Sequence, residues 1–477
     1  MTLPPAPALP AAPQRSHFTR FDQLVWIVVL TAAAAIGFFM LRGDQVGLGT
    51  LRLSPAEGET DRSTRATVAV QFDQNIATPA DLVRITLDPP LAGHTEVKGS
   101  TILFVPDQAF TPNTAYTVRV APGVVGDKGR ALKAPVVWHF TTRRSQFLYA
   151  ADGEGGKQLF LAAARFAGEA DTSAAPQQLT SAPAGVWDFT VASDGSEIVF
   201  SALNAQGGTD LWVSASAQKP ELLLACAKSF CTTPAFSPDG RVLAFSRRNP
   251  SDFAAAAVSP PRINMLDMQT KELAPLTADG QQLGTDPHWS ADGKWLAYLA
   301  PDRGGVAIVN LESGIETVYP TMTGEVGAWD TQRNVLLMSE SREQDGKQVD
   351  HLLLIDPVGQ TQQDMSGESS LVQDNAPAWS PDGNWIAFRR NELTGPRQTL
   401  TKQLWIMRAD GTDARPLTAD PAIDYSAPGW SPDGRYLIYH KLPLKGPTVV
   451  RSVWAMDLAT GEERQLAQNG LLPIWVP

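Results

Sequence analysis

The chain has 477 residues, which is long enough for more than one domain. It carries 50 Asp and Glu against 39 Lys and Arg, and the formal net charge of −11 argues against a general nucleic-acid-binding protein. Glycine and proline are frequent, at 38 and 37 residues, while only 19% of the residues are charged. This mixture is typical of a turn-rich β protein rather than of a disordered chain.

The N-terminal region predicts a membrane anchor. Residues 1–23 open with many prolines and alanines and predict a disordered cytoplasmic tail. Residues 24–41 form an uncharged apolar run that approaches the ~20 residues needed for a transmembrane helix. Arg15 and Arg20 precede the run and predict that the N-terminus stays in the cytoplasm. A cleaved signal peptide is the alternative, but the run is long for one and no small-residue cleavage site follows it.

After a short linker at residues 42–50, residues 51–143 show a different pattern. Short runs of β-type residues alternate with proline, glycine, aspartate and asparagine, which indicates a small β-sandwich. The segment resembles the bacterial Ig-like domains of cell-surface proteins, and this resemblance implies a spacer that holds the next domain off the membrane. The resemblance is carried by Ser54-Pro55-Ala56-Glu57-Gly58, Phe72-Asp73-Gln74-Asn75-Ile76, Leu103-Phe104-Val105-Pro106 and the segment 110–116.

The rest of the chain repeats one phrase. It is clearest as Pro377-Ala378-Trp379-Ser380-Pro381-Asp382-Gly383 and as Pro428-Gly429-Trp430-Ser431-Pro432-Asp433-Gly434. The large apolar residue of each copy, here called the anchor, recurs every 40 to 53 residues, and this spacing is typical of propeller blades. The anchors are Val191, Phe236, Trp289, Trp329, Trp379, Trp430 and Trp475.

Each copy predicts a four-stranded blade. Proline, aspartate and glycine favour a tight turn between a first and a second strand. The run after the turn, such as Trp385-Ile386-Ala387-Phe388, is apolar throughout and predicts a strand buried on both faces. A third strand, as at residues 403–407, and a short outer strand complete the blade.

This repeat resembles that of the TolB-type β-propellers, which are relatives of the WD40 propellers, and the resemblance covers residues 145–477. The fold class expected for the chain is all-β: a β-propeller preceded by an Ig-like β-sandwich and one N-terminal transmembrane helix. The resemblance also implies protein contacts in the bacterial cell envelope. TolB itself, however, is a soluble periplasmic protein without this anchor and without the Ig-like domain.

The two ends of the repeat region complete one blade. Phe147-Leu148-Tyr149-Ala150 predicts a second strand with no first strand before it, and residues 472–477 repeat only the opening of the phrase. Joining them closes the ring, removes exposed sheet edges and gives seven blades. Six blades are the alternative, because TolB-type propellers more often have six.

The sequence predicts no catalytic residue, no metal site and no cofactor. It contains no Gly-x-Ser-x-Gly nucleophile elbow, no His-Glu-x-x-His and no phosphate-binding loop. No two of the six histidines have metal-ligand spacing, and His288 beside Trp289 is interpreted as a packing residue. The aspartates of the repeated turns each stand alone, whereas calcium needs about six to eight converging oxygens, so we expect them to be turn caps.

Cys226 and Cys231 are the only cysteines, and they lie five positions apart, between the second and third repeat units. Outside the cytoplasm a disulfide can persist, so we expect these two residues to be bridged. Two buried thiols are the alternative. A zinc site is not expected, because two cysteines cannot fill its four positions.

Basic residues concentrate in long inserts between the second and third strands of units three, six and seven. Equivalent loops emerge on one face of a propeller, so the excess predicts a solvated rim that binds an anionic partner. Loop residues that bind nothing are the alternative. The candidates are Arg247, Arg248, Arg389, Arg390, Arg397, Lys402, Lys441, Lys445 and Arg451.

The interpretation favoured by the sequence is a non-catalytic, membrane-anchored binding or scaffold protein of the bacterial envelope. Its Ig-like domain and propeller would lie outside the cytoplasm. The expected partners are an envelope protein or an anionic envelope component, together with the membrane through one helix, and not nucleic acid. One alternative is a hydrolase or lyase, which needs acids or histidines converging in the central channel. The other is a carbohydrate-binding module of the cell surface, which needs exposed aromatic side chains.

Overall fold

The computed structural model describes residues 19–43, 47–166, 175–215, 218–250, 259–277, 280–445 and 449–477. Residues 1–18 of the predicted tail and residues 44–46 of the predicted linker lie outside these ranges. Among the described residues, α1 (Arg20–Gly43) is the helix that is long and apolar enough to cross a membrane. Leu24 and Leu30 on it are 64% and 61% exposed, so this helix does not pack against the rest of the protein.

An Ig-like sandwich follows the helix. Two four-stranded sheets face each other, with strand orders β1-β3-β6-β5 and β2-β8-β7-β4. The strands are β1 (Thr50–Ser54), β2 (Glu59–Arg62), β3 (Val68–Phe72), β4 (Ile85–Asp88), β5 (Gly93–Lys98), β6 (Thr101–Pro106), β7 (Ala115–Val120) and β8 (Val136–Thr142), with a 3-10 turn at Ala80–Leu82.

The core of the sandwich is aromatic. Trp138 is fully buried between the sheets, and Phe110 meets Tyr116 and Phe140 with ring centroids 4.9 and 5.3 Å apart. Thr111 N donates a hydrogen bond to the Tyr116 hydroxyl at 3.0 Å, which gives this polar group a partner at the edge of the core. Packing of aromatic side chains therefore forms the core of this domain without a disulfide.

The strands of residues 146–476 form seven blades around a central channel. Blade 1 has the order β37-β9-β10-β11, and blades 2 to 7 take their strands in chain order, with the first strand innermost. In blade 7 the inner strand is split into β32 and β33, which both pair with β34.

The strands of blades 1 to 3 are β9 (Gln146–Gly153), β10 (Gly156–Ala163), β11 (Gln177–Gln178), β12 (Val186–Val191), β13 (Glu197–Leu203), β14 (Thr209–Ala215), β15 (Glu221–Leu224), β16 (Phe230–Phe236), β17 (Val242–Arg248), β18 (Arg262–Asp267) and β19 (Leu273–Pro275). Those of blades 4 and 5 are β20 (Thr285–Trp289), β21 (Trp295–Ala300), β22 (Gly305–Asn310), β23 (Glu316–Pro320), β24 (Ala328–Trp329), β25 (Leu336–Gln344), β26 (Lys347–Asp356) and β27 (Thr361–Asp364). Those of blades 6 and 7, with the last strand of blade 1, are β28 (Val372–Trp379), β29 (Trp385–Glu392), β30 (Gln403–Arg408), β31 (Arg415–Pro416), β32 (Ile423–Tyr425), β33 (Gly429–Trp430), β34 (Tyr436–Pro443), β35 (Ser452–Asp457), β36 (Glu463–Gln468) and β37 (Gly470–Val476).

An apolar cluster fills each of the seven junctions between these blades. Ile386 and Phe388 of β29 belong to the cluster between blades 5 and 6, whereas Ala387 belongs to the one between blades 6 and 7. All three side chains are fully buried. The second strand of a blade is therefore buried on both faces, as its apolar run predicted.

The last strand of the described chain closes the ring. β37 pairs antiparallel with β9 and places Trp475 opposite Phe147. Both side chains enter the apolar cluster between blades 7 and 1, together with Tyr436. The predicted all-β fold with seven blades, closed by a composite blade, is confirmed.

The repeated turns are held by their own side chains. In blade 6, Asp382 Oδ1 accepts hydrogen bonds from Ser380 Oγ at 2.5 Å and from Asn384 N at 3.1 Å. Ser380 Oγ in turn accepts from Trp385 N at 2.9 Å, and Gly383 takes a φ of +68°. The same bonds recur at Ser237/Asp239, Ser290/Asp292 and Ser431/Asp433. These aspartates cap turns, as the sequence predicted.

The tryptophan anchors join each blade to the one before it. The indole Nε1–H of each tryptophan anchor donates a hydrogen bond to a backbone carbonyl of the preceding blade. The acceptor residue stands directly before the anchor of that blade. These bonds are Trp289 to Ala235 at 3.1 Å, Trp329 to His288 at 3.0 Å, Trp379 to Ala328 at 3.2 Å, Trp430 to Ala378 at 2.9 Å and Trp475 to Gly429 at 3.3 Å. This indole relay links blades 3 to 7 and then blade 1.

Strand direction sorts the loops onto two faces. The turns that contain residues 193–195, 237–240, 290–293, 380–383 and 431–434 lie on one end of the ring, here called the turn face. The described residues of the inserts, 249–250, 259–261, 393–402, 444–445 and 449–451, lie on the opposite end, here called the insert face. The Ig-like domain lies against the turn face, where Arg143 Nη1 donates to Gly195 O at 3.4 Å. A cavity of about 570 Å³ separates His94 and Asp107 of this domain from Pro381 and Asp433 of the propeller.

Replacing Trp430 by Phe tests the indole relay. The variant keeps an aromatic ring but loses the hydrogen bond to Ala378 O, so we expect the free energy of unfolding to fall by about 1–3 kcal/mol. Trp187→Phe is the matched control, because Trp187 is 63% exposed and should change stability by less than about 0.5 kcal/mol. Urea unfolding of both variants measures the difference. Equal stability of the Trp430 variant and wild type would contradict a structural role for the relay.

Candidate functional site

The channel wall carries a recurrent backbone bulge. In four blades the inner strand shifts register, and the residue three positions before the anchor has a positive φ. These residues are Thr233 (49°), Asp286 (59°), Ala376 (48°) and Leu472 (51°). Residues other than glycine rarely adopt this conformation, and it persists only where the surroundings hold it.

Side-chain acceptors hold the bulges in place by binding their backbone N–H groups. In blades 3 and 6 the acceptor is a carboxylate from the preceding blade; in blade 4 it is a hydroxyl, and in blade 1 an imidazole. The pairs are Thr233 N to Asp188 Oδ2 at 2.6 Å, Asp286 N to Ser246 Oγ at 3.0 Å, Ala376 N to Glu325 Oε2 at 2.9 Å and Leu472 N to His440 Nδ1 at 3.4 Å. Acids that line the channel thus serve to lock its strands.

Asp188 is the most perturbed of these acids. Burial raises the pKa of Asp188 to about 6, and the negative charge of Asp286 adds to the rise, while hydrogen bonds from Ser201 and Thr233 N oppose it. Ser201 Oγ donates to Asp188 Oδ1, so both carboxylate oxygens have partners within the fold. A perturbed acid in a channel is a candidate functional group, but here its oxygens are occupied.

His288 is paired with Asp286 of its own strand, with His288 Nε2 3.4 Å from Asp286 Oδ1. Burial opposes protonation of His288, but the hydrogen bond and charge of Asp286, together with the Gly327 backbone, raise its pKa above the ordinary value. The His288 carbonyl accepts the indole of Trp329. His288 therefore makes its contacts within the propeller ring, which agrees with its interpretation as a packing residue.

A buried ion pair crosses blade 6 near the insert face. Arg390 Nε and Nη2 donate to the two oxygens of Asp374 at 2.7 and 2.6 Å, and the guanidinium lies 4.7 Å from the centroid of the Trp405 ring. Arg390 is 8% exposed and Asp374 is fully buried. This bidentate pair is a structural element of the blade, because breaking a buried pair leaves an uncompensated charge.

The predicted basic rim is largely neutralised inside the protein. Arg389 pairs with Asp424, Arg397 with Glu392, and Lys441 with Glu463. Lys402 Nζ donates to Gln373 O, and Arg247 Nε donates to Asn249 Oδ1. The expectation that all nine residues are solvated is wrong for Arg390 and Lys441, which are buried against partners on other strands of their blades. Arg248, Lys445 and Arg451 remain exposed, and none of them forms an ion pair within the described part of the chain.

An apolar patch stands beside the remaining cations. The inserts of blades 6 and 7 expose Leu400 (98%), Leu444 (48%), Val449 (58%) and Val450 (39%). The two inserts are tied together by Lys402 N donating to Asp424 Oδ1 at 3.0 Å and by Leu444 N donating to Ala422 O at 2.8 Å. The docking patch, defined as Leu400, Leu444, Lys445, Val449, Val450 and Arg451, therefore spans two adjacent blades.

Among the described residues, a His–Asp pair in blade 5 also resembles a catalytic dyad. His351 Nδ1 lies 2.7 Å from Asp364 Oδ2, but its Nε2 lies 2.8 Å from Ser370 O rather than near a hydroxyl nucleophile. His351 is fully buried in blade 5, and Arg342 donates to the same oxygen of Asp364. His351 Nδ1 also lies 2.8 Å from Arg342 Nη2, so every polar contact of the ring is made within blade 5 and the histidine has a structural role.

Cys226, which follows β15, and Cys231 in β16 form a disulfide. The bridge joins blade 2 to blade 3, and both cysteines are buried in the cluster between these blades. Thr209 Oγ1 donates to Cys231 O at 2.8 Å across the same junction.

Sequence reasoning missed Asp188 and Glu325, although their positions three and four residues before an anchor were visible in the repeat.

Comparison with known proteins agrees with the two-domain architecture. Residues 44–142 match the family model described as bacterial Ig-like domain. A 52-residue stretch is 51% identical to the Tol-Pal system protein TolB of Anaeromyxobacter dehalogenans (strain 2CP-C), covering 11% of this chain and 10% of that protein. A 62-residue stretch is 42% identical to the uncharacterized peptidase YuxL of Bacillus subtilis (strain 168), covering 13% and 8%.

Among solved structures, the chain is similar to TolB from Acinetobacter baumannii, with 12% identity over 82% of this chain and 83% of that chain and a TM-score of 0.43. The chain spans only about a tenth of the length of the relatives that it matches in sequence. Residues 44–142 thus match a bacterial Ig-like domain, and a 52-residue stretch of the chain is similar in sequence to TolB.

Replacing Asp188 by Asn tests its titration in the channel. The folded pKa of about 6 exceeds the ordinary 3.8, so the unfolded chain ionises first as the pH rises from about 4 to 6. The wild type should therefore lose about 2–3 kcal/mol of unfolding free energy over that range relative to the variant. Urea unfolding at several pH values measures this difference, and Asp194→Asn in an exposed turn is the control. Parallel pH profiles for wild type and Asp188→Asn would contradict the raised pKa.

Proposed function

We propose that this protein is a non-catalytic, membrane-anchored binding protein of the bacterial cell envelope, and that its docking patch binds an acidic protein partner. One observation carries the proposal: four large apolar side chains stand exposed beside two cations on adjacent inserts, and one of them, Leu400, is 98% exposed. Exposed apolar groups of this kind mark interaction sites more often than they decorate a free surface. Lys445 and Arg451 favour a partner of negative charge.

The state of the channel acids supports a non-catalytic role. Asp188 and Asp374 use both carboxylate oxygens on groups of the ring, and Glu325 uses Oε2 on the backbone of blade 6. A hydrolase or lyase needs acids whose oxygens are free to meet a substrate. In the described residues no group of three or more metal-binding side chains converges either.

The order of the elements supports an envelope location. The apolar helix α1 precedes a bacterial Ig-like domain, and the propeller resembles that of a Tol-Pal system protein. In this proposal α1 spans the membrane with its N-terminus in the cytoplasm, the Ig-like domain acts as a spacer, and the insert face points away from the membrane. That orientation follows because the Ig-like domain lies on the turn face.

The experiment compares two matched double variants after recovery from salt-washed membranes. Leu400→Ser with Val449→Ser changes the docking patch, whereas Ile315→Ser with Val358→Ser changes equally exposed side chains in loops of the turn face. We expect the first variant to bind its partner from envelope extract about thirtyfold more weakly, because two apolar contacts of about 1 kcal/mol each are lost. The second variant should match wild type, and both should keep the wild-type melting temperature.

Salt and localisation complete this test. Partner recovery by wild type should fall as ionic strength rises, and Lys445→Ser with Arg451→Ser should weaken that dependence, because exposed charges are screened by salt. Equal recovery by all variants would remove the docking patch as a binding site. A soluble chain that begins after Gly43, in place of protein held in the washed membranes, would contradict the anchor.

A further inference from the structure

The central channel opens on the turn face into an apolar cavity of about 610 Å³. Four blades contribute inner-strand residues to its wall, among them Trp379, Trp430 and Trp475. Leu472 and Ile474 also line it and are 51% and 37% exposed, which is unusual for large apolar side chains of an innermost strand. This volume and lining are those of a small-ligand site.

One residue of the Ig-like domain reaches this cavity. Arg65 lies in the turn between β2 and β3, where its backbone N donates to Ser63 Oγ at 3.0 Å. Its neighbours Thr64 and Ala66 are buried at 3% and 6% exposure, so the turn is fixed on the domain. The Arg65 side chain lines both the cavity between the two domains and the channel cavity.

The guanidinium of Arg65 has no partner among the described residues. No hydrogen bond or ion pair joins its side chain to another group, including the chain end at Pro477, which lines the same cavity. Arg65 is solvent-accessible, and desolvation by the surrounding protein lowers its pKa without a nearby carboxylate to oppose the shift. An accessible guanidinium at the mouth of an apolar cavity is a ready partner for an anion.

We propose that Arg65 and the channel cavity form a binding site for a carboxylate carried on an apolar body. The carboxylate binds the guanidinium at the turn-face mouth, and the apolar body lies along Trp379, Trp430 and Ile474. Asp188 lines the deeper part of the cavity and repels an anion there, which fixes the orientation of the ligand. The site lies on the face opposite to the docking patch and does not depend on its function.

Two sources supply this chemistry: a free carboxylic acid and the C-terminal end of a peptide. The guanidinium of an arginine binds either carboxylate through two parallel hydrogen bonds. The test therefore uses octanoate for the first source and N-acetyl-leucyl-phenylalanine for the second. Octanamide and N-acetyl-leucyl-phenylalaninamide are the neutral counterparts with the same apolar bodies.

The experiment titrates each compound into the full chain held in lipid nanodiscs, with empty nanodiscs as the blank. Isothermal titration calorimetry measures affinity, and tryptophan fluorescence reports contact with the three indoles of the cavity wall. We expect at least one carboxylate to bind with millimolar or better affinity and about tenfold or more tightly than its amide. Whichever carboxylate binds more tightly identifies the source.

Three variants decide the role of Arg65. Arg65→Gln should lose the preference for carboxylate over amide, and Arg65→Lys should keep part of it, because lysine retains the charge without the fork. Arg84→Gln, an exposed arginine of the same domain outside the cavity, should bind as wild type does. Equal binding of carboxylates and amides, unchanged binding by Arg65→Gln, or no binding of either carboxylate at millimolar concentration would overturn the proposal.

Discussion

The indole relay is the constraint on which the rest of the propeller depends. Each tryptophan anchor donates to the carbonyl that precedes the previous anchor, so the bond fixes the stagger between neighbouring blades as well as their distance. Apolar clusters alone tolerate sliding, because burial is not directional. A directional bond at the inner end of five of the seven junctions lets blades of different length and loop content close into one ring.

The relay lacks a donor where the anchor is Val191 or Phe236, and at Phe236 other interactions take its place. Between blades 2 and 3 the disulfide of Cys226 and Cys231, and the bond from Thr233 N to Asp188, span the junction. The polar groups of the channel are therefore best understood as part of ring closure. Because the channel acids bind groups of the ring itself, the exposed inserts are the region that we propose contacts the acidic protein partner.

The repeat made most of the fold predictable, whereas the sites depended on contacts between distant residues. The turns, the strand buried on both faces and the composite blade follow from local patterns that recur along the chain. The burial of Arg390 and Lys441 was not predictable from loop composition, since their partners Asp374 and Glu463 lie on other strands. Arg65 gave no signal at all, because its position depends on how the Ig-like domain docks on the turn face.

The central claim is that the two faces of the ring have different roles, with the acidic protein partner bound at the insert face. Site-specific photo-cross-linking in intact cells tests this most directly, with a benzophenone side chain placed at residue 400 on the insert face or at residue 358 on the turn face. Leu400 and Val358 are both exposed, at 98% and 70%, so both probes are equally able to meet a neighbour. The account predicts a discrete protein adduct from position 400 and none from position 358. An adduct from position 358 alone, or no adduct from position 400, would contradict it.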